Sequence, residues 1–81
     1  MEKIITISST EGLHAQLANK VVQVSNKYDV DLKLVYEDVT IDAKSILSLM
    51  SLAVPQGKNV KVIAWGNEAE IAILEIEKIL K

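Results

Sequence analysis

Between Asp31 and Asp42 the chain reads DLKLVYEDVTID, and this stretch decides the fold. Asp31 to Tyr36 alternates, with Leu32 and Leu34 on one face, which is the period of a half-buried strand. Glu37-Asp38 is a tight polar turn, and Val39 to Asp42 is a second, short strand. The pair predicts a hairpin, and a hairpin makes its sheet antiparallel.

Upstream, the β-branched run Lys3 to Ser8 (KIITIS) predicts a strand with Ile5 and Ile7 inward. Thr10, Glu11 and Gly12 break that pattern. From Ala15 to Lys27, Leu17, Ala18, Val21 and Val24, continued by Tyr28, recur at steps of three and four, the stripe of an amphipathic helix. Downstream, Ser45 is placed to cap a short helix from Ile46 to about Ala53, ended by Pro55 and Gly57. Asn59 to Trp65 alternates with Val60, Val62 and Ala64 on one face. Asn67, with Glu70 three residues on, predicts the cap of a last helix that buries Ala69, Ala72, Ile73, Ile76 and Leu80. The order β-α-β-β-α-β-α predicts an α+β open-faced sandwich, a four-stranded antiparallel sheet with three helices on one face.

The 81 residues are expected to form one domain. The formal charge of −2 gives no support to a nucleic-acid partner, and no apolar run reaches membrane-spanning length. Cysteine is absent, which removes disulfide and thiol chemistry, and the lone histidine leaves no His–His pair for a metal, so no metal site is expected. No cofactor is expected, and a cytoplasmic location is the default expectation. All nine basic residues are lysine. Any bound anion is therefore held by lysine, backbone N–H groups or neutral side chains.

Gly12-Leu13-His14-Ala15 lies where the first strand gives way to the first helix. The leading N–H groups of a helix lack intrahelical partners and the macrodipole adds partial positive charge, so an anion on the His14 side chain is stabilised there. Position alone also suits an ordinary exposed histidine. The second helix is apolar nearly all round. With Leu49, Leu52 and Ala53 toward the core, Ile46, Leu47 and Met50 fall on another side, either buried more deeply or exposed for docking. Ser45 is equally well explained as a plain N-cap. Trp65 is assigned no role.

GLHA at Gly12–Ala15, a helix, and then KSILSLMSLAVPQG from Lys44 to Gly57 resemble the HPr family of the bacterial sugar phosphotransferase system. That family's runs are G-[IL]-H-A-R-P-A and K-S-I-[ML]-G-[VL]-M-S-L. The resemblance covers the whole chain and implies a phosphocarrier, not a turnover enzyme. His14 is then the phosphoryl acceptor from an Enzyme I-type donor, with the Ala15 N–H beside it, and sugar-transporter IIA-type components receive the group. Ser45 matches the serine modified by HPr kinase/phosphorylase, and Ile46, Leu47 and Met50 match the docking patch. A monomer is the expected state.

The chain departs from the family at Gln16-Leu17, where Arg-Pro is usual. Gln16 offers neutral donors in place of a guanidinium. A neutral hydrogen bond contributes about 0.5–1.5 kcal/mol against about 1.5–3 for a charged one, so the deficit is about 1 kcal/mol. Glu11 adds a negative charge close before His14. These departures leave an alternative: a regulatory binding module working through Ser45 with faded histidine transfer. A small-molecule-binding domain of the same topology is a third reading, and no glycine-rich or charged pocket motif speaks for it.

Overall fold

A computed structural model of the chain describes residues 1–10 and 12–81. The effect expected of Glu11 on a phosphate lies outside the described residues. Four strands and three helices run in the order β1 (Glu2–Thr6), α1 (Ala15–Lys27), β2 (Asp31–Tyr36), β3 (Val39–Asp42), α2 (Ile46–Leu52), β4 (Asn59–Trp65) and α3 (Ala69–Leu80).

The expected hairpin forms, with Tyr36 opposite Val39 and Leu34 opposite Ile41. Glu37 and Asp38 both take positive φ, 48° and 66°, the left-handed region that the favoured two-residue hairpin loops use. The strands are ordered β1-β4-β2-β3 and every neighbouring pair is antiparallel. It follows that β1 is parallel to β2 with β4 between them, and β3 is parallel to β4 with β2 between them. Each helical crossover thus spans an intervening strand, and two such crossovers of the usual hand place their helices on the same face. Ile5, Leu32, Leu34, Val60, Val62 and Ala64 point from the sheet into the single core. Leu17, Ala18, Val21 and Val24 of α1, Leu49 of α2, and Ala72, Ile73, Ile76 and Leu80 of α3 meet them there.

Several local details differ from the sequence reading. The β1 ladder ends at Thr6, opposite Asn59, although Ile7 stays buried and donates to the Lys58 carbonyl at 2.9 Å. Helix α2 stops before Pro55 and Gly57, because Ala53 takes the left-handed conformation (φ 48°). That turn swings Ala53 outward and gives its expected core place to Val54. Asn67 does not cap α3. Its amide donates to Asp29 Oδ2 at 2.9 Å and Glu68 occupies the N-cap, its carboxylate accepting from the Asp29 N–H at 2.8 Å. Asn67 and Glu68 together fasten Asp29, just past the end of α1, to the start of α3. Ser25 is buried on the inner face of α1, and its hydroxyl has no hydrogen-bond partner among the described residues.

Two ion clusters tie α3 to its neighbours. Tyr28 Oη and Lys27 Nζ both donate to Glu75 Oε1, at 2.6 and 3.2 Å, and join α1 to α3. Glu77 bonds Lys3 at 2.8 Å and Lys81 at 2.9 Å, joining α3 to β1 and to the chain end. Hydrogen bonds from the two ammonium groups hold the Glu77 carboxyl at about 2, well below its ordinary 4.5. No helix among the described residues is long and apolar enough to cross a membrane.

A carboxyl depressed on folding stabilises the fold above its unfolded value and loses that contribution as pH falls through its folded value. Between pH 4.5 and about 2, wild-type stability should therefore decline more steeply than that of Glu77→Gln. Denaturant midpoints measured across that window check this, and parallel profiles would show that Glu77 contributes nothing.

Candidate functional site

His14 is the N-cap residue of α1, in extended backbone geometry (φ −101°, ψ −170°). Its carbonyl accepts the helix's first bond, from the Ala18 N–H at 2.8 Å, while its side chain makes no capping hydrogen bond. The ring is exposed, as are Ala15 and Gln16. The N–H groups of Ala15, Gln16 and Leu17 open the helix without intrahelical partners. Thr10, His14, Ala15 and Gln16 line one open depression. The imidazole thus stands beside a ready anion cradle.

The segment before His14 is held from below. Leu13 is wholly buried, and its N–H donates to the Val54 carbonyl at 2.8 Å. The Gly57 N–H donates to the Ile7 carbonyl at 2.7 Å, and the Gln56 amide donates to the Ser8 carbonyl at 3.3 Å. Gly12 has φ 65°, and a Cβ there would lie 2.9 Å from the Val54 carbonyl oxygen. Glycine is required on both counts. Ile7, Ser8 and Leu13 are therefore stitched to residues 54–58, and His14 is presented next to the C-terminal end of α2.

Ser45 caps the other end of α2, its Oγ accepting from the Ser48 N–H at 3.3 Å. Of the residues between, Leu49 is fully buried, whereas Ile46, Leu47 and Met50 share the exposed side. Leu47 is 77% exposed. The helix is not buried more deeply, and the choice left open by the sequence falls to an exposed apolar face. The structure brings His14, Ala15 and Gln16 together, and sets Ser45 apart at the far end of a seven-residue helix, about 10 Å long. Sequence reasoning missed Leu13, Val54 and Thr10. The signals were slight: an apolar residue trapped between Gly12 and His14, and a valine held extended by Pro55 after it. Lys44 is exposed, with Nζ 3.8 Å from Asp31 Oδ1. No group of three or more His, Asp or Glu among the described residues is placed to hold a metal.

Residues 1–81 match the family described as "PTS HPr component phosphorylation site". The chain belongs to the HPr family, the phosphocarrier proteins of the phosphotransferase system. It is 38% identical to the phosphocarrier protein HPr of Haloferax volcanii over 99% of this chain and 92% of that one. Its fold superposes on the phosphocarrier protein HPr of Bacillus anthracis with a TM-score of 0.95, at 30% identity over 100% of this chain and 96% of that one. An HPr dimer from Thermoanaerobacter tengcongensis is 36% identical, with a TM-score of 0.75 over 93% of this chain and 86% of that one.

Gly12→Ala should destabilise the fold by about 1–3 kcal/mol, through left-handed strain and the approach to the Val54 carbonyl. A denaturant midpoint within error of wild type would mean that the Gly12 turn does not anchor the His14 segment.

Proposed function

We propose that His14 accepts a phosphoryl group from an Enzyme I-type donor and passes it to IIA-type sugar-transport components. The observation that carries this reading is the exposed His14 ring at the N-cap of α1, beside the N–H groups of Ala15, Gln16 and Leu17, which have no intrahelical partner. A ring nitrogen lone pair attacks phosphorus, and the bond from phosphorus to the donor breaks with its electron pair leaving on the donor. The phosphoryl oxygens then lie over the first turn of α1, where the amides and the macrodipole oppose their charge. Transfer onward repeats the displacement with the acceptor as nucleophile and the His14 nitrogen as leaving atom. The chain is a stoichiometric intermediate, and no cofactor enters. Cytoplasmic location and a monomeric working state go with this reading.

Gln16 lines the depression and supplies neutral donors where the family usually has arginine. Leu17, in the usual proline place, is buried in the core, so that exchange anchors the helix start and leaves the cradle open. The exposed Ile46, Leu47 and Met50 form the docking face for donor and acceptor, adjoining the His14 segment through Val54. Ser45 sits at the edge of that face. A phosphate there would keep the N-cap interaction while placing about two negative charges beside the apolar contact, which opposes docking. This supports the regulatory reading as an addition to histidine transfer.

Incubation with phosphoenolpyruvate and Enzyme I should add one acid-labile, base-stable phosphoryl group. His14→Ala should remove it, Ser45→Ala should not, and Gln16→Arg should speed its appearance several-fold, as a charged donor replaces a neutral one. Absence of label on both the parent and the Gln16→Arg variant would overturn the carrier reading. Separately, Ser45→Asp should leave the fold intact, since a carboxylate also caps, and should weaken Enzyme I binding in a titration. Unchanged affinity would leave Ser45 as a cap alone.

A further inference from the structure

Apart from Ile4 on β1 and Val39 on β3, the exposed large apolar side chains fall into two groups. Ile46, Leu47 and Met50 belong to the face already described. Met1, Trp65, Ile71 and Leu74 are exposed by 62, 46, 47 and 49%. Two adjoining grooves link them. One is lined by Asn67, Glu68, Glu70, Ile71 and Leu74, and the other by Met1, Ala64, Trp65, Gly66, Asn67, Ala69 and Glu70. Asn67 and Glu70 are common to both, so the surface is continuous. It lies far from His14: α1 spans about 20 Å from its His14 cap, and the residue just past its other end, Asp29, holds Asn67 and Glu68.

The rim of this surface is acidic. Glu70 lines both grooves, Glu68 lines one, and Asp29 stands behind Asn67. Three positive groups are near: the Met1 ammonium, which donates to the Ala64 carbonyl at 3.0 Å, Lys78, a turn beyond Leu74, and Lys44, which lines a further depression with Trp65 and Gly66 and has Nζ 3.8 Å from Asp31 Oδ1. The docking face on α2 has the opposite character, with no acidic residue in its first turn and Lys44 just before its cap. A second copy of the chain would bring the same carboxylates against Glu68 and Glu70, which opposes face-to-face pairing.

We propose that the Trp65–Leu74 surface is a second docking site, for a protein segment that presents apolar side chains flanked by lysine or arginine. The apolar side chains of such a segment cover Ile71, Leu74 and Trp65, and its cations meet Glu68 and Glu70. Distance from His14 leaves the phosphoryl site accessible while a partner is held here.

Trp65 is the chain's single tryptophan and reports directly on this surface. The probe is a synthetic amphipathic helix of leucine and lysine, about four turns long, titrated into the full chain. Trp65 emission should move to shorter wavelength with one saturable midpoint. Glu70→Lys and Leu74→Gln should each raise that midpoint about tenfold, as expected of anchor positions, with far-ultraviolet circular dichroism unchanged. Val39→Thr, on the exposed edge strand, should leave it unaltered. A leucine–glutamate helix of the same pattern should bind much more weakly. Equal binding of the acidic helix, a midpoint insensitive to both α3 variants, or equal weakening by Val39→Thr would overturn the proposal. A concentration-dependent shift of Trp65 emission without peptide would overturn it in favour of a second copy.

Discussion

The hydrogen bond from the Leu13 N–H to the Val54 carbonyl is the contact on which the site's geometry depends. It joins two residues that are each fully buried, so it works where water cannot compete for either group. Gly12 permits the approach because it lacks a Cβ. Ala53 permits it from the other side, since its left-handed turn aims Val54 inward. The exposed ring of His14 is thus carried by a rigid foundation made of entirely buried neighbours. On the proposed cycle His14 meets two different partners, and this presentation leaves little ordering to be done at each encounter.

The same contact explains why α2 is short and apolar on two sides. Its inner side supplies only Leu49 to the core, while its C-terminal end holds up the His14 segment. Its outer side is left to Ile46, Leu47 and Met50. Ser45 and the His14 segment therefore adjoin the two ends of one seven-residue helix, and a charge change at the cap would act on the exposed apolar face without any movement of the fold.

The architecture was legible because period and packing agree. The alternation in Asp31–Asp42 and Asn59–Trp65 and the stripes of α1 and α3 each put the same residues into the core that periodicity selected. The hidden parts were those in which a side chain does something other than its commonest duty. Asn67 looks like a cap and is a tether to Asp29. Ala53 has no intrinsic preference for the left-handed region, yet takes it because Val54 is drawn into the core. His14 as a helix start could be read from spacing. The support beneath it could not, because the partners Leu13 and Val54 are remote in sequence and carry no chemistry that marks them.

The absence of arginine bears on the balance of a carrier more than on its competence. On the proposed cycle His14 must both take and release the phosphoryl group, so a stronger hold on the bound anion speeds acceptance only where it acts in the transition state. A guanidinium that also grips the resting phosphohistidine makes release harder by the same interaction. Gln16, with neutral donors and beside amides that the helix supplies anyway, stabilises the resting anion less by about 1 kcal/mol. That difference shifts the equilibrium several-fold toward the acceptors, in a solvated depression where no burial amplifies it. Leu17 completes the exchange. Its side chain enters the core where a proline would only have set the backbone, and so it secures the first turn whose amides face the anion on the proposed cycle.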